Sequence, residues 1–255
     1  MSATHWFLCL LPLFFGYVLA ALLFMHARRT GAAADWRTAS REPVGLAPDP
    51  AATPEAVVQV YAARALSWRG YFAVHPWIAV KRAGARQFTV HEVNGWRLRH
   101  MGCAVLASHR PPDGRWFGNR PTLLADRRGP GVDELIDRIE AAVADYPWAG
   151  QYRVWPGPNS NTFIAHVLRA APELRVALPP TAIGKDYVGA LPLARLPSGT
   201  GAQLNLFGLA GIAVGLREGI EVNLLGLPFG IDPLHLALKL PLIGSLGPHC
   251  LAATD

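Results

Sequence analysis

The chain runs to 255 residues with 51 % hydrophobic and 16 % charged side chains, which excludes a disordered polyelectrolyte and leaves room for one domain with a substantial core. Lys and Arg exceed Asp and Glu by 24 to 18, a formal charge of +6 that calls for an anionic surface. There is no basic-aromatic platform and no recognition motif, so nucleic acid is not called for, and the headgroups of membrane lipid are the expected partner.

Residues 1–5 form a short lead. Residues 6–25 then run twenty positions without a charge, enough to cross a hydrocarbon core of about 30 Å. A cleaved signal peptide ending near Ala32, Ala33 and Ala34 is the alternative, but no Lys or Arg precedes Trp6, as the leading region of a signal requires. A single uncleaved anchor is expected. Arg28 and Arg29 follow the run, and by the positive-inside rule they hold the body in the cytoplasm. An envelope role places the body on the periplasmic face instead, and the reading leans that way. Residues 26–54, rich in Ala, Pro and isolated charges, read as a tether, and residues 55–255 as a single α+β domain.

Within that domain, residues 57–60 and 62–68 read as a first strand and its continuation. Residues 71–80 and 87–96 are rich in β-branched and aromatic side chains around a charged, Gly-containing turn, the pattern of a β-hairpin. Pairing Val80 with Gln87 sets His75 opposite Glu92, with Cβ atoms about 5 Å apart on one face. A carboxylate there fixes the imidazole tautomer and raises its basicity. A slip of one residue swings Glu92 away and brings His91 round. Residues 122–126 read as a strand, and 132–146 as an amphipathic helix with Leu135, Ile136 and Ile139 on its apolar face, stopped by Pro147.

Next comes Trp155-Pro156-Gly157-Pro158-Asn159-Ser160-Asn161-Thr162-Phe163, a turn that delivers Ser160 to the first turn of a helix. Unpaired N–H groups and the positive end of the helix dipole converge at such a point. Ser160 is therefore either a nucleophile or a plain N-cap. His166 falls on the flank of the same helix. His91, His100 and His109 fit no zinc spacing, and the isolated Cys9, Cys103 and Cys250 make no framework. Cys103 and Cys250 are either one disulfide or two buried thiols. Lys185-Asp186-Tyr187 reads as pocket lining or as a salt-bridged surface turn. The apolar run 204–216 spans thirteen residues, too short for a membrane helix. Its regular glycines point to a β-hairpin that closes the core, or else to an apolar groove for a lipid chain. No phosphate loop or dinucleotide fingerprint is present, so no cofactor is expected.

His75 and Trp77 on one strand, a polar residue on the next, and Asn159-Ser160-Asn161-Thr162-Phe163 at a helix start resemble the circularly permuted papain-like fold. That group holds the lecithin:retinol acyltransferase-like enzymes and permuted relatives of the NlpC peptidases, which carry cysteine where this chain has Ser160. Residues 36–247, through Leu178 to Tyr187 and Phe229 to Pro233, are also similar to an uncharacterised family of bacterial membrane-associated proteins. The papain-like resemblance implies an antiparallel sheet with a few helices and an amidase or acyltransferase acting on a lipid or cell-envelope substrate. In it Ser160 attacks an acyl carbon, His75 takes the proton, Glu92 orients His75, and N–H groups near Asn161 hold the oxyanion. Trp77, Asn159, Asn161, Lys185 and Tyr187 are the substrate-binding residues. No metal is implied. A serine hydroxyl, unlike a thiol, is not ionised by a helix dipole, so the competing expectation is a non-catalytic binding or scaffolding module that kept the fold.

Overall fold

The structure, a computed structural model, describes residues 3–28 and 36–248, without the side chains of 3–11 and 28. Ala32 to Ala34, Cys250 and the side chain of Cys9 therefore lie outside the described residues. Cys103 is a free, half-buried thiol.

Helix α1 (Ala3–Arg28) takes up the uncharged N-terminal run. Among the described residues no helix is long and apolar enough to cross a membrane, so the expected span over residues 6–25 is not supported. The described part of α1 packs on the body instead. Ala21 and Met25 are buried, and the Tyr17 hydroxyl donates to the Pro241 carbonyl at 2.6 Å.

A first sheet holds β1 (Val57–Arg64), β2 (Val74–Lys81) and β3 (Thr89–Val93). After α2 (Gly95–Met101) it gains β4 (Val105–Ser108) and β5 (Thr122–Arg128), followed by α3 (Val132–Ala144) and α4 (Ser160–Ala170). All five strands are antiparallel, in the order β4-β3-β2-β1-β5. The central strands β1 and β2 are buried on both faces, which is why they are near-continuous apolar runs. Val58, Val60, Ile78 and Val80 meet Ile136, Ile139, Phe163 and Ile164 of α3 and α4. Asp133 and Glu134 in the first turn of α3 complement its dipole.

The opposite face, carrying Val57, Tyr61, Trp77 and Val90, receives Leu46 and Trp116. The described part of the expected tether is therefore packed, not free. The buried Asp113 carboxylate accepts the backbone N–H groups of Val44, Leu46 and Ala47 at 3.2, 2.7 and 3.3 Å, and Pro43 bridges Gly114. One carboxylate taking three N–H groups is enough to fold an otherwise featureless Pro/Ala segment onto the domain.

A second sheet follows: β6 (Leu193–Arg195), β7 (Gly201–Leu206), β8 (Ala210–Gly215), β9 (Gly219–Leu224), β10 (Leu227–Asp232), β11 (Ala237–Leu240) and β12 (Gly244–Leu246). It is an antiparallel meander in chain order. The expected hairpin is its β7–β8 pair, but the hairpin does not close a core as expected. Its alternation is inverted, because Gln203, Asn205, Glu221, Asn223 and Lys239 are buried while Leu204, Leu206, Ile212 and Val222 are exposed. A half-buried antiparallel sheet ordinarily turns its apolar face inward. The polar face here has a reason, since it receives Lys185 and Asp186 from the first half. Lys185 Nζ lies 2.7 Å from Asp186 and 2.6 Å from Glu221, and Lys239 Nζ lies 2.8 Å from the other Glu221 oxygen. Asn223 and Gln203 donate to the Asp186 carboxylate and carbonyl. Burial alone would push the Lys185 ammonium down, but Asp186 and Glu221 hold it above its usual range. Burial likewise pushes the Glu221 carboxyl up, and Lys185 and Lys239 pull it below the ordinary value. Two lysines against two carboxylates leave the cluster neutral and hydrogen-bonded, the condition for keeping charge in an interior.

Candidate functional site

The start of α4 is built by Asn159. Its Oδ1 accepts from the N–H groups of Asn161 and Thr162 at 2.9 and 3.3 Å, and the Thr162 hydroxyl accepts the Asn159 N–H at 3.1 Å, which closes a capping box. The amide Nδ2 of Asn159 donates to the carbonyls of Val154 and Ile183, both at 3.0 Å. A Cβ at Gly184, whose φ is +93°, would collide with that amide, so only glycine lets the 183–184 loop close over the cap. The N-cap is thus Asn159, and the expectation that Ser160 serves as a cap is corrected. Ser160 is the first residue inside the helix and is buried. Its hydroxyl meets the phenol of Tyr152. Burial pushes that phenol up, and the hydrogen bond from Ser160 offsets part of the rise.

The histidine lies across the first sheet. Val80 pairs with Thr89 and Ile78 with His91, a register two residues from the expected one. A shift of two preserves the face, so His75 and Glu92 still meet, with His75 Nε2 2.9 Å from Glu92 Oε2. Arg110 Nη2 lies 3.3 Å from the same oxygen. Burial acts to raise the Glu92 carboxyl, and His75 and Arg110 together hold it below its ordinary value. Trp116 stacks flat on the His75 ring, with centroids 3.7 Å apart and planes at 7°.

The expected meeting of this pair with Ser160 does not occur on one face of the sheet. Val74, Ile78 and Val80 point to α4, while Trp77 and Ala79, two and four residues beyond His75, point to the opposite core. His75 therefore faces away from the helix that carries Ser160. Among the described residues no hydrogen bond joins His75 to Ser160. The N–H of Asn161, expected near the oxyanion, is already donated to Asn159.

Both residues nevertheless line one cleft of about 660 Å³ at the end of the strands. Its wall includes Arg41, Arg69 and Arg99 with Trp36, Trp96 and Trp116, and among the described residues no carboxylate. Asn159 and Asn161 also line it. Asn161 donates to the Ile183 carbonyl at 2.7 Å, and its buried Oδ1 has no partner. Three expected substrate-binding residues do not line it. Trp77 is fully buried and donates its indole N–H to the Pro112 carbonyl at 2.7 Å. Lys185 is sealed in the ionic cluster, and Tyr187 packs edge-on against Trp148. His166, expected on a flank, lies 3.1 Å from the Ala142 carbonyl between α3 and α4.

Sequence reasoning missed Tyr152, Arg69, Arg110 and Trp116. Only Trp116-Phe117-Gly118 carried a local signal, an aromatic pair on a glycine turn with Phe117 at φ 49°. The others reach the site through chain geometry alone.

Fold and cleft together define an α+β protein of two antiparallel sheets with a cationic, aromatic cleft. The chain belongs to the family described as protein of unknown function (DUF3750), whose profile matches residues 55–187, just over half its length. That segment contains the first sheet, α2 to α4 and the cleft wall apart from Trp36 and Arg41. No curated protein matches the chain, and no solved structure matches it.

Proposed function

We propose that this chain is a membrane-associated module whose cleft binds an anionic amphiphile, a lipid or a cell-envelope molecule, at the bacterial inner membrane, with the body on the periplasmic side. The observation that carries the reading is the cleft wall, which among the described residues has three arginines, several aromatic rings and no carboxylate. Guanidinium groups grip carboxylate or phosphate in pairs of hydrogen bonds, and the rings take the apolar part of the ligand. Titration of the full chain with a short-chain phosphatidylglycerol, followed by tryptophan fluorescence, tests it. Binding should exceed that of the matching phosphatidylcholine by at least about tenfold, and Arg69→Met with Arg99→Met should remove that preference, about 1.4 kcal/mol for each factor of ten. Equal binding of the two lipids overturns the reading.

Acyl transfer is the second reading, favoured by the buried His75–Glu92 pair, whose histidine lines the same cleft as Ser160. In it the Ser160 hydroxyl attacks an ester or amide carbonyl carbon and its proton passes to His75. The proton then leaves with the departing alcohol or amine, and water releases the acyl group. The N–H of Ser160 itself serves the oxyanion, since that of Asn161 is occupied. His75 must first reach Ser160, and Tyr152 must release its hydroxyl. A fluorophosphonate probe decides it. Labelling of the wild type that is lost in Ser160→Ala and His75→Ala supports transfer, and an inert wild type with an equally inert Ser160→Cys variant leaves the binding module alone.

A further inference from the structure

We propose that the outer face of the second sheet docks on a lipid bilayer, with its aliphatic side chains among the acyl chains and α1 lying beside it on the same surface. The proposal rests on the sheet alone and does not depend on the chemistry assigned to the cleft.

Paired residues across the strands share a face. Leu204, Ile212, Val222 and Phe229 make one cross-strand row, and Val214, Ile220, Ile231 and Leu238 make the next. Apart from Phe229, every member of both rows is exposed, from 42 % at Val222 to 52 % at Val214. Neither row contains a hydrogen-bonding side chain, because the polar residues of these strands all point inward. Polar inside and aliphatic outside is the order of a sheet whose solvent is hydrocarbon. An uninterrupted apolar face of this extent is not left bare on a protein surrounded by water.

Two further features point to a bilayer and away from a folded partner. Among the described residues, the rings of α1 meet the face at Phe229, where Phe14 and Tyr17 stand with ring centroids 6.3 and 5.3 Å away. Beyond that contact α1 exposes Leu13, Phe15, Leu19 and Leu23, so it extends the apolar surface without closing it. A protein interface of this size would carry polar groups at a density of about one hydrogen bond per 100–200 Å², with aromatic and Arg anchors. A fluid layer needs neither these nor shape complementarity. At the tips of the hairpins stand Phe207 and Leu225, and the exposed Trp155 donates its indole N–H to the Leu225 carbonyl at 3.0 Å. An amphipathic ring there suits the headgroup boundary, and the formal charge of +6 favours anionic lipid.

Flotation of the full chain with vesicles of phosphatidylethanolamine and phosphatidylglycerol tests the proposal. The variant Leu204→Thr/Ile212→Thr/Val222→Thr/Ile231→Thr keeps β-branched or strand-compatible residues and leaves α1 and the cleft untouched, and its partitioning should fall by at least about tenfold. A fluorophore on Val214→Cys, in a chain with Cys9, Cys103 and Cys250 replaced by Ser, should shift to the blue and be quenched by a nitroxide on the acyl chain. This second readout decides the matter if the fourfold variant fails to fold. Unchanged partitioning overturns the proposal. So does quenching of a label on Leu19→Cys with none on Val214→Cys, which leaves α1 alone in the lipid. A label at position 214 already shielded without vesicles, in a species that light scattering shows to be a dimer, assigns the face to a second copy and overturns it too.

Discussion

Glu92 joins a histidine, an arginine and a pH dependence at one atom. Its Oε2 takes both His75 and Arg110, and its carboxyl is held below the ordinary value of 4.5. A group whose folded value is depressed contributes stability above its unfolded value and loses it as pH falls through the folded one. Denaturant midpoints of the wild type should therefore fall as pH drops below about 4.5, and Glu92→Gln should flatten that slope. Asn159 and Ser160 separate in the same measurement at neutral pH. Asn159→Ala removes a cap and strands the Val154 carbonyl, while Asn161 still donates to that of Ile183, a cost of about 2–3 kcal/mol. Ser160→Ala gives up one hydrogen bond to Tyr152, about 1 kcal/mol. At this scale the meeting of His75 with Glu92 was legible, because parity along a strand survives a register shift of two residues. The absence of a His75–Ser160 bond was not legible, because the face that receives α4 depends on packing that a hairpin pattern does not contain.

At the scale of elements, β1, β2, β3, β5, α3 and α4 follow from local rules, whereas α2 begins at Gly95 inside the run expected as strand and β4 carried no expectation. The β-branched run at 57–60, the stripe through Leu135, Ile136 and Ile139, and the Pro/Gly turn before Asn159 each name their structure. Of the second sheet only the β7–β8 hairpin was legible, from its regular glycines, although an aliphatic and a polar residue alternate through 203–206 and 220–224. Alternation gives the period and leaves open which face turns inward. That choice was made by Lys185 and Asp186, which arrive from a distant loop and need polar partners. Lys185→Ala should expose the dependence, because Asp186 and Glu221 would then both lose their shared cation in the interior, with Lys239 left on Glu221 alone. A loss of about 3–5 kcal/mol is expected, read by urea unfolding, whereas Arg82→Ala at the exposed pairs with Asp137 and Glu140 should cost less than about 1 kcal/mol.

In the whole molecule the second sheet is tied to the first half at its inner face and at the turn between β11 and β12. The ionic cluster holds its inner face, and Arg64 at the end of β1 donates to the carbonyls of Leu242 and Ile243 at 2.8 and 2.9 Å. Arg64→Met removes both bonds without much change in apolar volume. Amide hydrogen exchange should then rise across residues 237–246 while β1 and β2 stay protected, since local opening follows the loss of local ties. No part of this tie is visible along the chain, where Arg64 and Leu242 are 178 residues apart. The free edges of the second sheet are β6 and β12, each only three residues long. A row of unpaired backbone groups is what an incoming strand needs for templated, fibrous growth, and three residues offer very little of it. The second sheet, which carries so much bare aliphatic surface, is therefore guarded against amyloid-like extension at its margins, and association through it proceeds by the flat of the sheet.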